Sequence, residues 1–99
     1  MPRELTYFVY ILCDKPYGTL YIGVTSNLPK RTYEHRMGDV EGFTKKYGLK
    51  MLVYYESYSY VYDAIAREKQ LKHWQRDWKI DLIHGFNRDW KDLYEELNN

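Results

Sequence analysis

Residues 6–13, with the sequence TYFVYILC, constrain the fold of this chain more than any other segment. The run is rich in β-branched and aromatic residues, and apolar side chains stand at both odd and even positions. Because successive side chains of a strand point to opposite faces of a sheet, the pattern predicts a strand that is covered on both faces. The run is far too short for a membrane-spanning helix, which needs about 20 apolar residues.

A turn and a second strand follow directly. The residues DKPYG at 14–18 are typical of a turn, and residues 19–24 again form a strand-like run. We therefore predict a β-hairpin. If its loop consists of the four residues 14–17, Tyr10 and Tyr21 lie directly opposite each other, whereas a slip of one residue would place them on different faces.

The rest of the chain predicts helices around one further strand. Ser26 or Asn27 can cap a helix over 28–38, which tolerates Pro29 in its first turn and ends at Gly38. The later segments are a polar loop at 39–48, a strand at 49–57, helices at 60–76 and 77–84 with Gly85 as the stop, and a helix at 88–97 capped by Asn87. The predicted fold is α/β, of the α+β type: a small three-stranded, mainly antiparallel sheet flanked by helices in the order β-β-α-β-α-α-α.

Length and composition narrow the class of protein. Ninety-nine residues suit one domain, here 1–99 with a core over 6–80 and the helix 88–97 packed on it. The single cysteine, Cys13, lies in an apolar run, which favours a buried free thiol and a reducing, cytoplasmic location without a membrane. A net charge of +1 excludes a generic polyanion binder. Residues 30–50 and 67–79 carry more Lys and Arg than Asp and Glu. These side chains form either a local basic patch or part of a mixed, solvated surface, and the sequence favours neither.

Glu68 stands out on the long predicted helix. The apolar stripe of this region comprises Val61, Ala64, Ile65, Leu71 and Trp78. Glu68 falls on the same line, seven residues after the first of them. An ionised carboxylate facing a core costs several kcal/mol unless it is paired or bound to metal. Glu68 is therefore either at the rim of the stripe, paired with a nearby Lys or Arg, or part of a site.

The first predicted helix carries a second group of candidates. Arg31 and His35 share one face of this helix through their i, i+4 spacing. They either point at the sheet or form surface ion pairs with Glu34 or Glu41. On the second strand, Gly23 follows Tyr21 on the same face, and a glycine inside a strand often marks a bulge or the close approach of a ligand. Two facing tyrosines are by themselves most often packing.

These residues together resemble the GIY-YIG nuclease domain. The triplets FVY at 8–10 and YIG at 21–23 have ten residues between their tyrosines, Arg31 stands ten after Tyr21, and His35 occupies a position where members carry His or Tyr. Glu68 lies where the family keeps its metal-binding glutamate. The likeness covers about 6–80, and the flanking REKQLKHW and WKDL segments are similar to the small stand-alone bacterial members. The chain departs from the family pattern in having Phe8 for the first glycine and Val24 where some repair nucleases carry lysine.

The resemblance implies a metal-dependent endonuclease that hydrolyses phosphodiester bonds, in DNA more than RNA, with DNA repair or recombination as its setting. It implies one Mg²⁺ or Mn²⁺ ion on Glu68, with Tyr10, Tyr21, Arg31 and His35 as catalytic residues. Weaker candidates for substrate binding are Gly23, Lys30, Lys72 and Asn87, although helix capping explains the last of these better.

Two alternatives stay open. The first is a nucleic-acid-binding module with weak or no cleavage, because no second domain for target choice is evident and the net charge is modest. The second is a structural or protein-binding role in which Trp74, Trp78 and Trp90 form an exposed patch, although core packing explains these side chains better.

Overall fold

A computed structural model, which describes residues 5–39 and 42–98, contains one three-stranded antiparallel sheet. Its strands are β1 (Tyr7–Cys13), β2 (Leu20–Thr25) and β3 (Met51–Tyr58), in the spatial order β2-β1-β3. The first strand is therefore central, which accounts for its apolar side chains at both parities. This confirms the predicted α+β class with a small antiparallel sheet and flanking helices.

Five helical segments surround the sheet. They are α1 (Leu28–Arg36), α2 (Phe43–Tyr47), α3 (Val61–His73), α4 (Arg76–Phe86) and a C-terminal 3₁₀ helix (Leu93–Asn98). None of the described helices combines the length and the apolar character that crossing a membrane requires.

The central strand separates two hydrophobic clusters. On one face, Val9, Ile11 and the fully buried free thiol Cys13 pack with side chains of α3 and α4, namely Ala64, Leu71 and Ile83. On the other face, Tyr10 and Leu12 pack with Leu28 of α1 and Leu93 of the C-terminal 3₁₀ helix. Helices α1 and α3 therefore cover opposite faces of the sheet, and side chains beyond residue 80 belong to both clusters.

The predicted register of the hairpin is wrong by two residues. The loop has six residues, 14–19, because Cys13 pairs with Leu20. Tyr10 is therefore opposite Gly23, and Tyr21 is opposite Leu12. A shift of two residues preserves the face, so the two tyrosines become diagonal neighbours, with ring centroids 6.4 Å apart.

Helix α1 begins and ends as its sequence indicates. The Asn27 side chain accepts a hydrogen bond from the Lys30 backbone N–H at 3.2 Å, and Pro29 lies in the first turn. Gly38 has a φ of +71°, and its N–H donates to the His35 carbonyl. A left-handed residue at this position suits glycine and ends the helix.

Several boundaries in the second half differ from the predicted ones. The supposed loop at 39–48 contains the short helix α2, although residues 40 and 41 lie outside the described part. The long helix ends at His73, so the 51% exposed Trp78 belongs to α4 and not to the apolar stripe. Helix α4 continues through Gly85, because a helical glycine costs only about 1 kcal/mol and tertiary packing can outweigh it.

The predicted helix at 88–97 is replaced by a turn and the 3₁₀ helix. Asn87 ends α4 instead of starting a new helix: its side chain donates to the carbonyls of Val53 and Lys91 and accepts the Lys91 N–H at 3.0 Å. Trp90 adopts a φ of +56°, which is incompatible with a continuous α-helix, and it is buried in the core and not in an exposed tryptophan patch.

Candidate active site

The hydroxyl of Tyr10 is the centre of a buried polar group on the α1 face of the sheet. Tyr10 is only 1% exposed. Its oxygen lies 3.2 Å from Nε2 of His35, and the phenol also interacts electrostatically with the guanidinium group of Arg31. Of the two arrangements left open for this helix face, His35 therefore takes the one that points at the sheet.

A hydrogen-bond chain continues from His35 into α2. Nδ1 of His35 lies 3.0 Å from Oγ1 of Thr44, and both residues are buried. Because the guanidinium cation attracts the lone pairs of the Tyr10 oxygen, we assign the Tyr10 proton to the side of Nε2 of His35. Nδ1 of His35 then carries the proton donated to Thr44. The hydrogen-bond chain thus runs from Tyr10 through His35 to Thr44, and Arg31 interacts with its first member.

The protonation states at neutral pH follow from burial. Burial raises the pKa of Tyr10 to about 12, and the interaction with Arg31 offsets only part of that rise. Burial, and then the positive charge of Arg31, lower the pKa of His35. At pH 7 the phenol is therefore protonated and the imidazole is neutral. The charge of Arg31 favours the phenolate, but the free protein does not hold a phenolate.

Gly23 makes room for the Tyr10 ring. A Cβ atom on Gly23 would lie 2.5 Å from the Tyr10 hydroxyl oxygen and 2.6 Å from Cζ. The strand backbone that the sequence analysis treats as open to a ligand is thus covered by the phenol. This gives Gly23 a positioning role toward Tyr10, and its direct contact with a substrate stays a prediction.

Tyr21 begins a row of aromatic rings that leads from the site to the surface. Its centroid lies 5.9 Å from that of His35 and 6.4 Å from that of Phe43, which is nearly parallel to it. The ring centroid of Phe43 in turn lies 4.7 Å from that of the exposed Tyr47. Sequence reasoning missed Thr44 and Phe43 because it treated their segment as a loop. The aromatic residues spaced four apart in FTKKY were the available signal for a helical turn.

Arg31 combines the two arrangements that the sequence left open, a surface ion pair and an interaction with a residue of the sheet. Its side chain is 38% exposed and contacts Glu34 at 3.8 Å, a long ion pair that contributes little. The interaction with Tyr10 is the largest cause of its raised pKa. The guanidinium group therefore interacts with the site while part of it stays accessible to a ligand.

Glu68 lies at the rim of its stripe, as one of the two interpretations held. Its side chain is 20% exposed, and Oε1 lies 3.1 Å from Nζ of the half-exposed Lys72. Although α3 covers the opposite face of the sheet, the charge of Glu68 contributes to raising the pKa of Tyr10. The carboxylate is thus electrostatically coupled to the tyrosine.

The donor set fits a divalent cation that needs few protein ligands. Among the described residues, no three His, Cys, Asp or Glu side chains cluster to form a metal cage. Mg²⁺ commonly binds through one or two carboxylates and completes its shell with water and substrate phosphate oxygens. Glu68, a partly exposed carboxylate whose charge influences Tyr10, suits that mode.

The two remaining candidates lie apart from the Tyr10 group in their contacts. Lys30 is exposed in the first turn of α1. The Asn87 side chain is committed to Val53 and Lys91, far along the chain from α1. Within the described part of the chain, the structure therefore joins Tyr10, Tyr21, Gly23, Arg31 and His35 in one group, with Glu68 coupled to it through charge.

Comparison with known proteins agrees with this arrangement. The family model of the GIY-YIG catalytic domain matches residues 6–81. A UPF0213 protein of Clostridium perfringens is 34% identical over 92% of this chain and 97% of its own length. A UPF0213 protein of Pediococcus pentosaceus is 35% identical over 78% of this chain and 79% of its own.

A solved structure shares the fold. The solution structure of a UPF0213 protein from Bacillus halodurans superposes with a TM-score of 0.56 at 25% identity, covering 89% of this chain and 93% of that one. The family match spans the strand pair, α1 and α3, which carry the residues described above. This chain therefore belongs to the GIY-YIG nuclease family, among its small bacterial UPF0213 members.

Proposed function

We propose that this protein is a metal-dependent endonuclease that hydrolyses phosphodiester bonds in DNA. The observation that carries the proposal is the arrangement in which the Tyr10 hydroxyl lies 3.2 Å from Nε2 of His35 and interacts with the charge of Arg31. It joins a cation for a phosphate, a hydroxyl that can take a proton, and a neutral imidazole that can accept one. Membership of the GIY-YIG family supplies the reaction class, and DNA repair or recombination is the setting that we infer for it.

Tyr10 acts as a base in this proposal only with the help of His35. A phenol with a pKa of about 12 does not ionise at neutral pH. It can, however, take a proton from an attacking water while its own proton passes to Nε2 of His35, at 3.2 Å. The water oxygen then bonds to phosphorus as the bond to the leaving oxygen breaks. The depressed pKa of His35 keeps the imidazole neutral and ready to accept the proton.

Thr44 is a positioning residue in this scheme. It accepts the Nδ1–H of His35, which leaves Nε2 unprotonated toward Tyr10. Arg31 binds a non-bridging phosphate oxygen through the exposed part of its guanidinium group. Tyr21, packed between His35 and Phe43, presents its hydroxyl group to the phosphate or the water.

Glu68 is the carboxylate that would hold Mg²⁺ or Mn²⁺. When bound, the ion supplies charge stabilisation at the leaving oxygen. Lys72 pairs with Glu68 in the free protein, and its amino group would become available to the substrate if the carboxylate held the metal.

The test is cleavage of single-stranded, nicked and branched DNA with Mg²⁺ or Mn²⁺ by the wild type and by Glu68→Gln. The substitution keeps the shape of the side chain and removes its charge. Glu95→Gln is the matched control, because Glu95 is exposed on the C-terminal 3₁₀ helix. We expect Glu68→Gln to lose cleavage by about 10²-fold or more and Glu95→Gln to retain it. Equal cleavage by the wild type and Glu68→Gln would refute the proposed metal role.

A second candidate function is nucleic-acid binding without cleavage. The observation that favours it is the protonated Tyr10, which is a weak base unless the transfer to His35 operates. Salt-dependent binding to DNA with no product from any substrate in either metal would support this function over the nuclease.

A further inference from the structure

Basic side chains line a cleft at the tip of the β1–β2 hairpin. The cleft has a volume of about 510 Å³. One wall is the hairpin loop, and the other is the first turn of α4. Lys15 belongs to the first wall, and Arg76 and Lys79 belong to the second. The basic stretch at 67–79 noted in the sequence thus ends at this cleft.

The positive charges of the cleft are not neutralised within the described chain. Lys15, Arg76 and Lys79 form no ion pair with any carboxylate of residues 5–39 and 42–98. Asp14 is the one acidic side chain among the lining residues, and its Oδ1 accepts the Thr19 N–H at 2.8 Å. Three cations therefore face one carboxylate that is already engaged with the backbone.

The loop that forms the cleft is held in a strained conformation. Tyr17 has a φ of +60°, which costs of order 1 kcal/mol or more for a non-glycine residue. Arg76 donates to the carbonyl oxygens of Tyr17 and Gly18, and the Tyr17 hydroxyl lies 2.9 Å from Nε2 of His84. Backbone strain that is secured by several surrounding groups is common at binding sites. These contacts join the hairpin loop to α4 across the cleft.

The chemistry of the cleft fits a phosphate group. Arg and Lys side chains are the usual donors to phosphate oxygens, and Arg76 keeps the Nε and Nη1 donors that it does not use on the loop. The same hairpin carries Tyr10 and Gly23, three residue pairs from the loop, or about 10 Å along the strands. We propose that this cleft binds a backbone phosphate of the DNA, away from the bond that is cut. The proposal rests on the proposed function for its ligand, but it needs none of the catalytic residues.

The experiment compares two double variants that remove the same charge. Lys15→Gln/Lys79→Gln neutralises the cleft, and Lys50→Gln/Lys91→Gln neutralises two exposed lysines elsewhere. Binding of a fluorescein-labelled DNA strand and its duplex is measured in EDTA over a series of salt concentrations. Thermal unfolding of both variants should match the wild type, since neither lysine side chain of the cleft makes a hydrogen bond or an ion pair within the described structure.

We expect weaker binding and a salt dependence that is shallower by about one to two units of slope for the cleft variant alone, since each phosphate contact contributes about 0.7–0.9. Equal losses in both double variants, or none in either, would overturn the proposal. A titration with inorganic phosphate, followed through the Gly18 and Thr19 amide resonances, separates the sources of the ligand. If phosphate shifts these amides while DNA affinity is unchanged in the cleft variant, the site takes free phosphate and the DNA proposal fails.

Failure of the nuclease proposal gives a different pattern of results. If the wild type cuts no DNA but the cleft variant binds DNA more weakly than the wild type, the nuclease proposal is contradicted and the cleft proposal is supported. A wild type that cuts DNA while the cleft variant binds as tightly as the wild type would contradict only the cleft.

Discussion

The phenol oxygen of Tyr10 lies 3.2 Å from Nε2 of His35, so a residue of the central strand and a residue of α1 share one proton position. The contact exists because α1 packs its Leu28, Thr32 and His35 face on the sheet. Gly23 on the neighbouring strand leaves the space that the phenol fills. Packing and chemistry are thus coupled at this site, and each can be tested separately.

Removing the Tyr10 hydroxyl tests its chemical role. We expect Tyr10→Phe to lower cleavage by about 10²-fold or more, because the attacking water loses its proton acceptor. The variant also leaves Nε2 of the buried His35 without its partner, which costs about 1–3 kcal/mol of unfolding free energy. Tyr7→Phe is the control on the same strand but the opposite sheet face. Cleavage by Tyr10→Phe at the rate of Tyr7→Phe would contradict the role of the phenol.

The hydroxyl of Thr44 is expected to set the tautomer of His35. Thr44→Val keeps the shape but removes the acceptor of the Nδ1–H, so Nε2 is no longer fixed as the acceptor for Tyr10. We expect about a tenfold loss in kcat and a shifted acidic limb of its pH profile, with KM little changed. Thr44→Ser restores the hydroxyl and should restore both. An unaltered pH profile in Thr44→Val would show that the threonine only packs.

His35 should make the fold sensitive to mild acid. Its pKa is lowered in the folded protein and returns to about 6.5 on unfolding, so the unfolded chain binds more protons below that pH. The contribution of neutral His35 to the free energy of unfolding is therefore fully present above about pH 6.5 and is lost as the pH falls below that value. We expect His35→Gln to flatten this loss in urea denaturation between about pH 7.5 and 5.5. His73→Gln, at an exposed position, should retain the wild-type dependence.

A methyl group at position 23 should displace Tyr10. In Gly23→Ala the new Cβ would lie 2.5 Å from the phenol oxygen, so the ring must move away from His35. We expect a loss of about 1–3 kcal/mol in stability together with a large loss of cleavage. Gly85→Ala is the matched control: it lies inside α4 with nothing within 4 Å, and should gain up to about 1 kcal/mol. Wild-type cleavage in Gly23→Ala would mean that Tyr10 tolerates the shift.

On the other sheet face, Glu56 should protect the fold against stronger acid. Burial raises the pKa of its carboxyl group, but hydrogen bonds from Arg67, Tyr54 and Tyr58 outweigh burial and bring that pKa below its usual value. This stabilisation is present above about pH 4.5 and is lost as the pH falls through the lower, folded pKa.

We expect Glu56→Gln to lower the unfolding free energy at pH 7 by about 2–3 kcal/mol, between the values for exposed and fully buried pairs. It should also reduce the loss of stability below about pH 4.5. The measurement is urea denaturation over that range, with the exposed Glu96→Gln as control. Equal stabilities of the two variants at pH 7 would contradict the role assigned to the Glu56 network.

Local patterns in the sequence were enough for much of the fold. Three such patterns are the apolar residues at odd and even positions of β1, the Asn27 cap and the Gly38 stop. Each depends on only a few neighbouring residues, so it can be predicted from the sequence. The types and order of Tyr10, Tyr21, Arg31 and Glu68 were enough to indicate the family, because a motif is visible along the chain without any knowledge of how its residues meet. Boundaries failed where tertiary packing outweighed propensity, as at Gly85 within α4 and at Trp90 with its positive φ.

The working details of the site depend on contacts between segments far apart in the chain. The sequence determined which residues could take part, because their types and order are local facts. Only the tertiary structure decided that the hairpin is shifted by two residues, that Tyr10 fills the space at Gly23, and that burial raises the pKa of that phenol to about 12. Thr44 enters for the same reason: a hydrogen bond to His35 depends on how α2 packs beside α1, and no spacing along the chain encodes that distance.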